Sequence, residues 1–366
     1  MILSRKEFKT CIEELKDLIS KTEDENLKKD YSFFLFQLNQ LPLSDKKDNR
    51  EPLSYTKKLR ELESLYQDNK DLYKVIIDYH NSLSSDFETI KEVNMKYNTI
   101  DYPKQTYTKK QSVALARNFY QNLDSDFLEI VDDILNKKTL TFRKRFSKDY
   151  QGMNYFIGGL NKNYIDIRKE GDLSDYLTIV HEFGHAINNI YNPMGFYEYN
   201  IFAEFVSIFV ELVAIYEGRN LFNENILVYH TIDDFQFYYG LIESFHDQKR
   251  MIDVMYFNQF NKFNKKFIKE VNNKMNLSKK DIKETIDVHF YHQGDYAISF
   301  IMALELLYIY KHNKKEALEL LKELMHKLPL NNQMNEVSKY LEPNVHAYTE
   351  TKEIIDHAEH VIKKTL

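Results

Sequence analysis

Apolar residues recur at spacings of three and four positions along most of the chain, the pattern of helices that bury one face. In the first hundred residues it runs through KEFKTCIEELKDLI, LKKDYSFFLFQLNQL and YTKKLRELESLYQDNKDLYKVIIDYH. Two further helices are predicted around 108–121 and 124–136, and helical periodicity resumes near 174 and continues almost to the end. The pattern therefore predicts a mainly α protein.

One segment departs from this pattern. MNYFIGGLNKNYIDIRKEG, at 153–171, contains two short β-type runs, YFIG and YIDI, around a turn with two glycines, and this predicts a β-hairpin. LPLSDKKDNREPLS, at 41–54, predicts a loop, and the polar stretch TIDYPKQTY at 99–107 is the next clear break. We therefore expect two lobes, an N-terminal helical lobe over 1–100 and a second lobe over 101–366, with one small hairpin or sheet.

Composition narrows the class of protein. Of 366 residues, 43% are hydrophobic and 29% charged, which is typical of a globular chain, and only 9 are Gly and 6 Pro, which favours long helices. A net charge of −6 argues against a general nucleic-acid binder. The single Cys11 excludes an intramolecular disulfide and a cysteine-only zinc site. The N-terminal segment has no apolar core of a signal peptide and no apolar run is long enough to span a bilayer, so we expect a cytoplasmic protein without a membrane partner.

The stretch DLSDYLTIVHEFGHAINNIY predicts a helix over 172–191. Asp172 or Ser174 can cap its first turn, since short polar side chains accept hydrogen bonds from free backbone N–H groups there. Pro193 and Gly195 follow its last turn and favour its end.

Three residues of this helix carry candidate chemistry. His181 and His185 are four positions apart, so their imidazoles share one face and can bind one metal ion. Glu182 lies one position further round, where its carboxylate can take a proton from water activated by that metal. This is the H-E-x-x-H pattern of zinc peptidases. The alternative interpretation is a pair of surface histidines that share a face by chance.

A catalytic zinc needs a third protein ligand from another element. The next predicted helix, YEYNIFAEFVSIFVELVAIYEG at 197–218, offers Glu204, Glu211 and Glu217. Carboxylates in an apolar helix are costly to bury unless they bind something. We favour Glu204 as the ligand, with Glu211 as its supporting partner or as the alternative ligand; otherwise both would lie at the rim of the helix.

The segment over about 148–214 resembles the thimet oligopeptidase and oligoendopeptidase F family of zinc peptidases. YQGMNYFIGGLNKNYIDIRKEGDLSDYLTIVHEFGHAINN is similar to the hairpin and zinc helix of that family. The run from Glu204 to Ser207 matches the Glu-x-x-Ser element that supplies the family's third ligand. The resemblance therefore implies a helical, two-lobed gluzincin-type fold with Glu204 as the third ligand.

The resemblance also points to a His and Tyr cluster in DVHFYHQGDYAISFIMALELL, at 287–307. His289, His292 and Tyr296 occupy the matching place, and Tyr291 is a further candidate. An imidazole or a phenol can donate a hydrogen bond to the oxyanion that forms when a peptide carbonyl is attacked. The alternative is a helix start in which Tyr296 packs in the core.

The predicted hairpin gains a second role from the same resemblance. FIGGLN, at 156–161, is small and Gly-rich, so an extended peptide could pair with an exposed strand edge beside it. The alternative is an ordinary turn.

We therefore expect a zinc-dependent oligopeptidase that binds one Zn²⁺ per chain and cleaves internal bonds of short, unfolded peptides. One alternative is a zinc carboxypeptidase of related helical build. The other is a catalytically idle binding scaffold whose zinc is closed off by four protein ligands. The sequence does not indicate the oligomeric state.

Overall fold

The computed structural model describes the chain in eight segments, which are 5–44, 54–83, 86–97, 105–143, 151–193, 204–287, 295–327 and 345–365. Within these residues the fold comprises fifteen α-helices and one three-stranded sheet, so the predicted mainly α class is confirmed. None of the described helices combines the length and the apolarity that a bilayer crossing requires. The cytoplasmic location stays a prediction.

The helices are α1 (Arg5–Lys21), α2 (Glu25–Ser44), α3 (Tyr55–Asp68), α4 (Lys70–Leu83), α5 (Asp86–Tyr97), α6 (Lys109–Leu123), α7 (Ser125–Lys137), α8 (Leu173–Tyr191), α9 (Phe205–Gly218), α10 (Glu224–Asn258), α11 (Lys265–Met275), α12 (Lys279–Asp287), α13 (Asp295–His312), α14 (Lys314–Lys327) and α15 (Ala347–Thr365). The strands are β1 (Leu140–Arg143), β2 (Gly152–Ile157) and β3 (Lys162–Arg168).

The chain divides into two compact units. The first consists of Met1–Arg50 and Pro103–Tyr199, and the second of Glu51–Tyr102 and Asn200–Leu366. From the sequence we expected two consecutive lobes over 1–100 and 101–366. The division into units is different, because the first hundred residues contribute to both units.

The sheet belongs to the first unit and has the order β1-β3-β2. β2 and β3 pair antiparallel and are joined by a short 3-10 turn over Gly158–Leu160, so the predicted hairpin is present. β1 pairs parallel with β3 and was not predicted, since four residues are too few to show a clear alternation. β3 is buried along most of its length, whereas β2 forms an outer edge of the described sheet.

Helix α8 packs against β2 and β3 and against α6 and α7. Asp172 caps its start and accepts a hydrogen bond from the backbone N–H of Ser174 at 3.0 Å. The buried hydroxyl of Tyr120 on α6 donates to the carbonyl of Val180 at 2.8 Å, and its ring meets Phe183 edge-on. These contacts hold the middle of α8, where the histidine motif lies.

Helices α1 and α2 pack onto the turn of the hairpin. A Cβ atom built on Gly158 would lie 2.5 Å from the Phe34 ring of α2, and one on Gly159 would lie 2.8 Å from Leu15 of α1. Phe34 and Leu15 form a buried cluster that also contains Tyr164 of β3. The small residues of this turn therefore make room for the chain's own helices.

The core of the second unit is built around α13, which is buried on nearly all sides and packs against α9, α10 and α15. Glu305 is a buried carboxylate of this helix, 1% exposed. It accepts hydrogen bonds from the backbone N–H groups of His346 at 2.7 Å and Ala347 at 2.8 Å. These bonds satisfy N–H groups at the start of α15 that have no partner within that helix.

Candidate metal and catalytic site

Helix α8 presents His181 and His185 on one face. Their ring centroids are 4.9 Å apart, with the planes inclined by 75°. From 179 to 189 every other residue is buried, and these two alone are partly exposed. Along this stretch the helix is thus buried except at the two imidazoles.

Glu182, between them in sequence, is turned away from solvent and is 5% exposed. Its side chain lies beside Gly152 at the start of β2. Its backbone carbonyl accepts a hydrogen bond from the amide of Asn154 at 3.3 Å. A carboxylate that is shielded from bulk water and carried by the same turn of helix as two imidazoles is a candidate to move a proton.

Glu204 immediately precedes α9 and is half-buried. One ligand atom from each of His181, His185 and Glu204 lies within 4.8 Å of the others, and no other group of this kind occurs among the described residues. Ligand atoms about 2.0–2.2 Å from a tetrahedral ion are separated by roughly 3.4 Å, so an upper limit of 4.8 Å is compatible with a shared zinc ion. Glu211, the alternative ligand, is half-buried in α9 and is not part of this group.

Tyr238 of α10 is a residue that the sequence analysis missed. Burial raises the pKa of its phenol well above the usual value, and the negative charges of Glu211, Asp234 and Glu204 raise this pKa further. The phenol therefore stays protonated near the carboxylates of α9 and can donate a hydrogen bond. No local pattern marks it, because the chain has 27 tyrosines and the placement depends on how α9 and α10 pack.

Tyr296 lies in the first turn of α13 and is half-buried. Its ring is nearly parallel to that of Tyr238, with centroids 6.5 Å apart, and it meets the exposed ring of Phe237 edge-on at 6.0 Å. The other predicted oxyanion donors, His289 and His292 with Tyr291, lie outside the described residues.

No protein-family model and no curated protein sequence matches this chain. Its structure is similar to that of a protein from Chlamydophila abortus described as a peptidase, with a TM-score of 0.63 at 14% identity. The chain shares the fold of a helical peptidase. That match covers 100% of this chain and 66% of the other, so the chain spans about two thirds of its length.

Two further solved structures have the same fold at lower similarity. One is PZ peptidase A, at a TM-score of 0.50 and 14% identity, and the other is described as an oligoendopeptidase F, at 0.50 and 12%. Each match covers 96% of this chain and 71% of the other. At the level of the fold, these likenesses confirm the resemblance to the oligoendopeptidases that was inferred from the hairpin and the histidine motif.

Proposed function

We propose that the protein is a zinc-dependent oligopeptidase that hydrolyses internal bonds of short, unfolded peptides. The observation that carries the proposal is the group formed by His181, His185 and Glu204, whose ligand atoms lie within 4.8 Å of one another. Two imidazoles and one carboxylate are the ligand set of many catalytic zinc sites, which leave a coordination position open. The shared fold with peptidases supports the same function.

Each side chain has a distinct role in this mechanism. His181, His185 and Glu204 would hold the zinc ion. The ion would supply a Lewis acid that lowers the pKa of water and polarises a peptide carbonyl. Glu182 accepts the proton of the attacking water and returns it to the nitrogen of the leaving amine.

The negative charge that develops on the carbonyl oxygen needs hydrogen-bond donors that are already in place. We assign this role to Tyr296 together with His292 or His289. A phenol in the first turn of α13 can donate its O–H hydrogen bond to the oxyanion. Replacing it by Phe should lower kcat about 100-fold while the metal remains bound.

Substrate binding is assigned to backbone pairing. β2 forms an outer edge of the described sheet, so an extended peptide could add to it as a further strand. Such pairing recognises the peptide backbone and demands an unfolded substrate. Short peptides are therefore the proposed partners.

The proposal is tested with purified protein, its zinc content and a quenched fluorescent peptide, with and without a chelator. The variant Glu182→Gln should keep the metal and lose turnover by about 100-fold or more, because it lacks the base. As a matched control, Glu319→Gln removes an exposed carboxylate of α14 and should leave turnover unchanged. A Glu182→Gln variant with full activity would show that another group is the base.

The same preparation decides between the ligands and between the modes of cleavage. Glu204→Gln should lose zinc whereas Glu211→Gln should retain most of it, and the reverse result would make Glu211 the ligand. Mass spectrometry of the products should show internal cleavage. Removal of single C-terminal residues would favour the carboxypeptidase, and bound zinc without any cleavage would favour the idle scaffold.

A further inference from the structure

The first residue of β2 lies directly against the proposed base. A Cβ atom built on Gly152 would lie 2.4 Å from Oε1 of Glu182 and 2.8 Å from its Cγ. It would also lie 2.7 Å from the Cγ2 methyl group of Thr178, one turn earlier on α8. Carbon and oxygen atoms that are not bonded to each other do not approach so closely in proteins. The Glu182 carboxylate therefore occupies space that is free only because residue 152 has no side chain.

A second contact ties the same strand to the same residue. Asn154 follows Gly152 by two positions, so both point to the face of β2 that packs on α8. Its Nδ2 atom donates to the backbone carbonyl of Glu182 at 3.3 Å. The Oδ1 atom of Asn154 accepts a hydrogen bond from Nδ2 of Asn189 at 3.1 Å. The same Nδ2 atom of Asn189 donates to Oδ1 of Asn163 on β3 at 3.2 Å. Side-chain amides that are buried or partly buried in such a network have defined orientations, because each needs its hydrogen-bond partners.

We propose that Gly152 and Asn154 are positioning residues, through which β2 sets the location of the Glu182 carboxylate. Gly152 determines where the carboxylate can lie, and Asn154 holds the backbone from which it projects. This inference rests on the proposed function, since it assumes that Glu182 is the base. It assigns to β2 a task in catalysis that is separate from pairing with a peptide.

The experiment compares two glycine-to-alanine variants. Gly152→Ala should lower kcat about 100-fold, because displacement of a base by about 1 Å has an effect of that order. KM and zinc content should stay close to those of the wild type, since the three atoms nearest to the added methyl group belong to Glu182 and Thr178 and not to a proposed zinc ligand. Gly240→Ala is the matched control, because a Cβ there has no atom within 4 Å, and its kcat should be unchanged.

Two double variants distinguish a displaced Glu182 carboxylate from a general distortion of the protein around residue 152. Combined with Glu182→Gln, the Gly152→Ala change should cause no further loss, since the base is already absent. Combined with Thr178→Ser, which removes the Cγ2 methyl group, Gly152→Ala should still be defective, since the contact with Glu182 persists. Recovery with Thr178→Ser, or a further loss in the Glu182→Gln background, would overturn the proposal.

A second variant covers the case in which Gly152→Ala does not fold. Asn154→Ala removes the amide that binds the Glu182 carbonyl and should lower kcat about tenfold with KM unchanged. Wild-type kcat in a folded Gly152→Ala protein, or in Asn154→Ala, would contradict the assigned role. Failure of the proposed function has a different signature, because the wild type would then be inactive or Glu182→Gln fully active.

Discussion

His80 of α4 and His246 of α10 stack face to face, with ring centroids 4.1 Å apart and planes inclined by 15°. The ring of Tyr239 is also parallel to that of His80, with ring centroids 5.7 Å apart. Burial lowers the pKa of His80 to about 4, and the neighbouring His246 and Arg250 lower it while Glu243 opposes them. Burial also lowers the pKa of His246, as do the charges of Arg250 and Lys249. Both rings are therefore neutral in the folded protein at pH 7.

This pair predicts a loss of stability in mild acid. In the unfolded chain His80 takes up a proton below about pH 6.5, whereas in the folded protein it does so only near pH 4. As the pH falls from 6.5 to 4, the unfolded chain therefore binds more protons than the folded protein, and the free energy of unfolding decreases. Between pH 7 and pH 5 we expect a loss of about 1–2 kcal/mol from this residue after allowance for solvent screening. The measurement is urea unfolding at both pH values for the wild type and His80→Phe, which keeps a ring but does not titrate. Equal pH slopes for the two proteins would exclude His80 as the cause.

At the residue scale, contacts could be predicted from the sequence only where the two residues are close along the chain. His181 and His185 share a helix face because they are four positions apart, and their rings are close in the structure. Gly152 and Glu182 are thirty positions apart, and their contact depends on the packing of β2 against α8. The three hydrogen bonds that Glu305 accepts at the start of α15 cross more than forty positions of sequence. Neither relation leaves a periodic signal, so neither could be predicted.

At the scale of elements, the connection between β3 and α8 is held by two aspartates of different kinds. Asp172 is an exposed cap of α8. Asp175 is 1% exposed and accepts hydrogen bonds from the backbone N–H groups of Glu170 at 2.7 Å and Gly171 at 3.0 Å. Gly171 has a φ of +91°, a conformation that favours glycine. Asp175 thus sets the path by which the chain leaves the sheet and enters the helix.

The two aspartates should differ in their effect on stability. Asp172→Ala should lower the free energy of unfolding by about 1 kcal/mol, as for an exposed helix cap. Asp175→Ala should lower it by about 2–3 kcal/mol, because it leaves the two partly buried backbone N–H groups of Glu170 and Gly171 without their acceptor. Chemical denaturation at pH 7 measures both differences. A larger effect of Asp172→Ala would show that the cap, and not the buried carboxylate, holds this connection.

Element-level prediction from the sequence was accurate for long periodic segments and incomplete for short ones. The predicted helix over 172–191 corresponds to Leu173–Tyr191, and the predicted hairpin corresponds to β2 and β3. β1 was missed because LTFR carries only four positions, and its pairing with β3 comes from distant sequence. Strand partners of this kind follow from the tertiary fold rather than from local pattern.

At the scale of the whole molecule, the chain passes from one unit to the other near residues 50, 102 and 199. The break predicted at 99–107 includes one of these passages. The passage near 50 falls in the loop predicted over 41–54, but it was not predicted as a boundary between units, because α1 and α2 have the same helical pattern as the helices that follow them. The passage near 199 was not predicted. What assigns α1 and α2 to the first unit is their packing on Gly158 and Gly159, which a linear search for boundaries does not detect.

Metal binding should stabilise the whole protein if the proposed site is correct. A ligand that binds only the folded state adds about 2.7 kcal/mol at a hundredfold excess over its dissociation constant, which raises the unfolding temperature by several degrees. Calorimetry of the metal-free protein with added zinc should show this rise, and a chelator should reverse it. In His185→Ala the rise should disappear, since one imidazole ligand is lost. An equal rise in the variant would place the zinc elsewhere.

The aromatic ring of Phe34 against Gly158 has a bearing on how this protein can be shortened or extended. Removing the first fifty residues would leave the hairpin turn facing water with Ile157 and Tyr164 uncovered, so such a truncation is expected to aggregate. The turn itself is an equally poor place for a fused peptide or a fluorescent label. Insertions at this position would push α2 aside before they reached solvent.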